Sequence, residues 1–118
     1  MPDRLSVPQH HFTEDFELYQ AAEILGTVGT FRGRTALDEV VSELRDAFDD
    51  VGFIPQDVHS FGPLAFLVVV RFTGIGRSSG LPINRVIAHV WRLSLEGARR
   101  LEVYWELADG MRAAGLSE

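Results

Sequence analysis

The chain has 118 residues, of which 46% are hydrophobic, and this composition fits one globular domain rather than a disordered chain. It contains no cysteine, which excludes disulfides, cysteine-ligated metals and a cysteine nucleophile. All 11 basic residues are arginine, so a catalytic lysine is excluded, and the net charge of -6 argues against a nucleic-acid partner.

The start of the chain and its longest apolar run indicate where in the cell the protein is expected. The run at residues 64–70 is far too short to span a bilayer. The first twenty residues include His10, His11, Glu14 and Asp15 where a secretory signal would need an apolar stretch. We therefore expect a cytoplasmic protein with no membrane partner.

The first third of the chain is predicted to hold an arm, a strand and a loop. Residues 1–11 contain two prolines and no periodicity, which indicates an irregular arm. Residues 12–23 alternate as a strand does. The alternation places Phe16, Leu18 and Gln20 on one face, and Glu17 and Tyr19 on the other. Glycines at positions 26, 29 and 33 predict a long loop after this strand.

An amphipathic helix is predicted over residues 35–50. Thr35 resembles an N-cap, with Asp38 three residues later, and Gly52 ends the helix. The apolar stripe with helical spacing consists of Leu37, Val40, Val41, Leu44 and Phe48.

After Gly52 the periodicity changes to two, as in strands. The predicted strands are 53–61, 64–72, 83–93 and 99–106, followed by a short helix at 107–114. The order of strand, helix and four antiparallel strands indicates an α+β fold. Strand 64–72 is apolar on both faces, so both faces need a cover.

The glycine-rich segment 73–80 (TGIGRSSG) is the first candidate for a binding loop. It lacks the lysine and the following helix of a phosphate-binding loop, and it connects two predicted strands. We therefore interpret it as a hairpin loop.

Four histidines are the candidates for metal binding or for acid–base chemistry. His10 and His11 are neighbours and would point in opposite directions in a strand, so we expect no metal site. His89 lies in an otherwise apolar strand (IAHVW, 87–91) and needs a hydrogen-bond partner or a pocket. It is therefore either a core histidine bonded to a carbonyl or carboxylate, or a polar group in a pocket wall.

Two acidic residues are weaker candidates for a catalytic role. Glu106 stands at the end of the last strand beside aromatic residues, and Asp57 shares a strand face with His59. Glu102 is on the same face as Glu106, and we expect it to be solvated. No nucleophile elbow accompanies these residues.

Several soft motifs together resemble the SnoaL-like branch of the nuclear transport factor 2-like superfamily. They are FRGR (31–34), GIGRSSG (74–80), AHVWRL (88–93), RLEVYWE (100–106) and AAGL (113–116). The resemblance implies one domain over 1–118, with a curved, mainly antiparallel sheet wrapped around helices as a cone that encloses an apolar pocket. Its members include ketosteroid isomerase, scytalone dehydratase, limonene-epoxide hydrolase and polyketide cyclases beside many non-enzymes, so the fold does not fix the function.

The sequence departs from the family in two respects. Members usually begin with two helices that close the cavity, whereas this sequence reaches its first strand after a short arm. By rough alignment Gln20 falls at the position of the isomerase base and His89 at that of its oxyanion-hole acid. Glutamine cannot abstract a proton, which weakens an isomerase interpretation.

Two functional hypotheses follow. The first is a cofactor-independent isomerase, cyclase, dehydratase or hydrolase of an apolar polyketide-like or steroid-like compound. In it His89 is the polar catalyst, and Tyr19, Asp57 or Glu106 assists. The second is a non-catalytic ligand-binding or dimerisation domain. In either case the predicted ligand-binding residues are Tyr19, Gln20, Ile87, His89 and Trp91. The apolar faces of strand 64–72 also predict a homodimer.

Overall fold

The computed structural model describes residues 12–20 and 29–116, which form six strands and two helices. In chain order they are β1 (Phe12–Gln20), β2 (Gly29–Arg32), α1 (Ala36–Ala47), β3 (Phe48–Gly62), β4 (Ala65–Gly76), β5 (Pro82–Ser94), β6 (Gly97–Tyr104) and α2 (Leu107–Ala113). Neither helix in these ranges is long and apolar enough to cross a membrane.

All six strands belong to one sheet, in the order β2-β1-β6-β5-β4-β3. Neighbouring strands are antiparallel except for β1 and β6, which run parallel. The predicted α+β class and the mainly antiparallel sheet are therefore confirmed. The parallel pair places Gln20 beside Val103, although 82 residues separate them in the chain.

The sheet curves around α1. The register between β3 and β4 shifts at three places, and such bulges bend a strand and increase its twist. The helix turns Val40, Val41 and Leu44 into the core, where each is less than a tenth exposed. The apolar stripe predicted for this helix thus packs on the concave face of the sheet, as expected.

The helix is shorter than the predicted range of 35–50. It ends at Ala47, because Phe48 already has extended backbone angles (φ -135°, ψ 144°) and pairs with Gly76 of β4. The pairing of a long strand has overridden the helical periodicity at this boundary.

The predicted loop around Gly29 is wrong in part, because Gly29–Arg32 forms the edge strand β2. It pairs antiparallel with the second half of β1, so that Phe31 lies beside Leu18 and Arg32 beside Glu17. The predicted arm 1–11, the end of the first predicted strand at 21–23 and Gly26 lie outside the described residues.

The segment 73–80 is a hairpin, as predicted, but its strands are longer. β4 continues to Gly76, and Ile75 pairs with Pro82 of β5. Gly80 closes the turn with a positive φ of 69°, and its N–H donates to the carbonyl of Gly76.

α2 covers the part of the convex face that β4, β5 and β6 form. The helix packs over a second buried cluster that includes Leu67, Ala88 and Val90. Gly110 sits so close to β5 that a Cβ atom there would overlap the Cβ of Ala88. The central strands β4 and β5 therefore have a cover on both faces within one chain, and this weakens the reason given above for a homodimer.

Candidate functional site

A cavity of about 200 Å³ lies between α1 and the concave face of the sheet. The helix contributes Leu37, Val40, Val41 and Leu44 to its wall. The sheet and the residue after it contribute Leu18, Gln20, Phe53, Phe72, Ile87, His89, Trp91, Leu101, Val103 and Trp105. The wall is therefore largely aliphatic and aromatic, and Gln20 and His89 are its amide and imidazole groups.

These two polar side chains stand in one row across the sheet. Gln20 of β1 pairs with Val103 of β6, and Val103 pairs in turn with His89 of β5. Two strand spacings separate Gln20 and His89, which is roughly 10 Å between their backbones. Both side chains project from the concave face, so one small molecule above Val103 can reach both.

His89 is the titratable residue of the wall. It is partly buried, and its ring lies 5.9 Å from that of Phe53, centroid to centroid. Burial lowers the pKa of His89 to about 4. The imidazole is therefore neutral near pH 7, with one N–H donor and one acceptor nitrogen. The sequence left two alternatives for His89, a core position and a position in a pocket wall. In the structure His89 lies in the cavity wall.

Gln20 is almost fully enclosed, with 3% of its surface exposed. Its Nε2 atom has no hydrogen-bond partner among residues 12–20 and 29–116. A buried N–H group without a partner costs free energy, so its position on a cavity wall calls for an acceptor. The sequence pointed to Gln20 only through the family resemblance.

Both tryptophans of the chain line the cavity. Trp91 and Ile87 were predicted to share the face of His89, and they do. Trp105 was not singled out, although its alternation with Leu101 and Val103 is visible in the sequence. Both indole rings therefore border the space that the cavity encloses.

Tyr19, predicted as a ligand contact, lies on the opposite face of the sheet from the cavity. Its ring is 5.3 Å from the guanidinium carbon of Arg100 and 6.0 Å from the ring of Tyr104. Alternation along β1 requires this, because Tyr19 and Gln20 are consecutive and point to opposite faces.

Asp57, predicted as a possible catalytic group, also lies away from the cavity. It is exposed on the edge strand β3, and its Oδ2 atom is 3.1 Å from Nε2 of His59. In the sheet it pairs with Val69, on the side covered by α2. A role for Asp57 in cavity chemistry therefore has no geometric support.

Glu106 lies beside the cavity rather than in its wall. Its carboxylate pairs with Arg85, whose Nε donates to the carbonyl oxygen of Trp105 at 3.0 Å. The guanidinium carbon of Arg85 is 5.0 Å from the centre of the Trp105 ring. Glu106 thus helps to hold Arg85 against a wall residue, and no carboxylate within the described ranges lines the cavity itself.

The expectation that Glu102 is solvated is wrong. It is 4% exposed on the convex face and accepts hydrogen bonds from Nε of Arg92 (2.6 Å), Nε of Arg100 (3.0 Å) and the hydroxyl of Tyr104 (2.7 Å). Burial alone would raise the pKa of Glu102, but these hydrogen bonds outweigh it and hold the pKa below its usual value. Burial, and then the neighbouring Glu102, raise the pKa of Tyr104.

No three histidine, aspartate and glutamate side chains come together as metal ligands in the described part of the chain. His10 and His11 lie outside that part.

The arrangement defines a class of protein: an α+β domain in which a curved sheet and a helix line a small, mainly apolar cavity. Comparison with solved structures identifies the fold. The chain has the nuclear transport factor 2-like cone fold, as the sequence motifs indicated.

Three similar structures illustrate this likeness. A protein with a ketosteroid isomerase-like fold from Catenulispora acidiphila, in complex with trimethylamine, has 15% identity and a TM-score of 0.72 over 92% of this chain and 80% of that one. A nuclear transport factor 2-like protein from Burkholderia thailandensis has 23% identity and a TM-score of 0.72 over 86% and 79%. A protein from Mesorhizobium loti assigned to the SnoaL-like polyketide cyclases has 15% identity and a TM-score of 0.64 over 82% and 80%.

At these identities the likeness establishes the fold alone. No protein-family model matches the sequence, and no curated protein matches it.

Proposed function

We propose that this protein binds a small, uncharged, mainly apolar molecule in the cavity between α1 and the sheet. The observation that carries the proposal is the wall itself: aliphatic and aromatic side chains surround a void into which His89 and Gln20 project. An apolar cavity with a few convergent polar groups is the usual form of a small-molecule site. The similar protein from Catenulispora acidiphila holds trimethylamine, which supports the use of this fold for small ligands.

The volume favours a ligand of one or two rings. Apolar cavities of about 150 Å³ accept benzene, whereas pockets for drug-sized molecules measure about 300–1,000 Å³. At about 200 Å³ this cavity is closer to the first class. A compact aromatic or alicyclic compound therefore fits better than the steroid-like compound considered from the sequence.

Catalysis is the second candidate function, and the neutral imidazole of His89 is the observation that favours it. In an isomerase, cyclase, dehydratase or hydrolase it would donate a hydrogen bond to the reacting oxygen or accept a proton. A base with a pKa of about 4 is weak at neutral pH, and the described part of the wall offers no carboxylate to assist it. We therefore rank binding before catalysis.

Ligand binding can be followed through the intrinsic fluorescence of Trp91 and Trp105. We expect indane, a two-ring hydrocarbon, to change this emission in a saturable way. Val40→Phe fills the cavity from α1 and should abolish the change. Ile54→Phe is the matched control, because Ile54 is 48% exposed on β3, does not line the cavity and lies on the opposite face of the sheet, where it pairs with Arg71. Equal responses of the two variants would refute the cavity as the binding site.

The natural ligand can be identified by mass spectrometry of the compounds that co-purify with the protein. We expect a small ring compound to accompany the wild type and to be depleted in Val40→Phe. His89→Ala tests the polar contact: unchanged retention and unchanged thermal shift in this variant would remove His89 from the site.

The homodimer and the cytoplasmic location predicted from the sequence remain proposals. α2 covers part of the convex face, but Ile54, on that face of the edge strand β3, is still about half exposed. Sedimentation velocity at micromolar concentration should show a dimer, and a stable monomer would count decisively against it.

A further inference from the structure

The amide of Gln20 is the feature of the cavity that apolar packing leaves unexplained. Its side chain is 3% exposed, it forms part of the wall, and its Nε2 has no partner within residues 12–20 and 29–116. A leucine or methionine would fill the same space without a buried, unpartnered donor. A ligand atom that accepts a hydrogen bond would satisfy this donor.

The surroundings of Gln20 restrict what that ligand atom is. Its neighbour across the sheet is Val103, and Leu18 precedes it by two residues on the same face. No charged side chain of the described residues lines the cavity, so an ionic group would be desolvated there without a counter-charge. A neutral oxygen acceptor, as in a ketone, lactone or quinone, meets both conditions.

We propose that Gln20 determines the polar group of the ligand: its Nε2 donates a hydrogen bond to the carbonyl oxygen of an uncharged compound with one or two rings. This inference rests on the proposed binding function and adds the chemical class of the ligand. The hydrocarbon part of the ligand occupies the space beneath α1, and its oxygen lies toward β1. His89, two strands away, contacts a second polar atom of the ligand or its ring edge.

Two probes of nearly equal shape test the proposal: indane and 1-indanone, which differ by one carbonyl group. Their affinities are measured by isothermal titration calorimetry, because a carbonyl group can itself quench tryptophan emission. The wild type should bind 1-indanone about 3- to 10-fold more tightly than indane, which is the range for one neutral hydrogen bond. In Gln20→Leu the two affinities should become equal, with that for indane unchanged or higher.

The chain offers a matched control on the same strand. Thr13 is also buried, at 8% exposure, and its Oγ1 likewise has no partner in the described part of the chain, but it does not line the cavity. Thr13→Val should therefore keep the wild-type preference for 1-indanone. Gln20→Met, a second variant of similar length, keeps the test available if Gln20→Leu does not fold.

The outcomes separate this inference from the proposed function. Binding of both probes without a preference, or a preference that survives in Gln20→Leu and Gln20→Met, overturns the role of Gln20 and leaves ligand binding intact. A preference that disappears only in His89→Ala assigns the carbonyl to His89 and overturns the inference as well. Failure of both probes to bind the wild type overturns the inference together with the proposed function.

Discussion

Acidification should destabilise this protein through His89. In the unfolded chain the imidazole has its ordinary pKa of 6.5, whereas burial lowers the pKa of His89 in the folded chain to about 4. Between these two values the unfolded chain binds more protons than the folded chain, so stability falls as the pH falls. The contribution is negligible above pH 7, amounts to about 2 kcal/mol at pH 5 and reaches about 3 kcal/mol below pH 4.

The measurement is urea unfolding, followed by circular dichroism at pH 7.5 and pH 5.0. His89→Gln removes the titrating group and keeps a polar side chain of similar length, so this variant should lose about 2 kcal/mol less than the wild type on acidification. His59→Gln, on the opposite face of the sheet, is the control for loss of a histidine outside the cavity wall. Equal losses in the wild type and His89→Gln would refute the view that the cavity holds the imidazole neutral.

Two further predictions concern the convex face. Gly110→Ala should lower the urea midpoint, because the overlap with Ala88 costs about 1–3 kcal/mol, more than the gain in helix propensity of about 1 kcal/mol. Adding Ala88→Gly should restore stability, and a single variant as stable as the wild type would contradict the close packing of α2. Glu102→Gln removes the carboxylate partner of Arg92 and one of the two carboxylate partners of Arg100, which keeps Glu17. Thermal unfolding at pH 7 should show a loss of roughly 2 kcal/mol, less than for a fully buried pair because both arginines are partly exposed. An unchanged melting temperature would mean that this ion cluster contributes no net stability.

Much of the fold could be predicted from periodicity, because each element carries its own pattern. The apolar stripe of α1 and the alternation of β5 appear directly in the sequence, and both faces of β4 are apolar there. The strand β2 could not be predicted, because it has four residues and begins with a glycine in a glycine-rich stretch. It forms a strand because it pairs with the edge of β1, and this pairing depends on the tertiary structure rather than on the local sequence.

For the candidate site, the sequence could predict which residues of one strand share a face, but not which residues of different strands lie side by side. Alternation along β5 correctly places Ile87, His89 and Trp91 on one face, and alternation along β1 places Tyr19 on the opposite face from Gln20. No local pattern could show that Gln20 and His89 stand in one row, since this depends on the register of two strand pairs.

The same limit explains why the burial of Glu102 was missed. Its partners Arg92 and Arg100 look like ordinary surface charges in an alternating sequence. They reach Glu102 because the β5–β6 hairpin pairs Arg92 with Arg100 and leaves the carboxylate beside both. A buried ion cluster of this kind depends on strand register rather than on composition.

The parallel pairing of β1 with β6 also has a consequence for how the protein is made. Because Gln20 is positioned by Val103, a growing chain cannot complete the cavity wall until β6 has been synthesised and has docked. Contacts between residues so distant in sequence carry a high loop-closure cost. A chain folded only from α1 through β5 would expose the apolar wall of the cavity to solvent. The cavity wall is thus complete only once β6 has docked on β1, and a partly folded chain with exposed apolar surface is prone to aggregation.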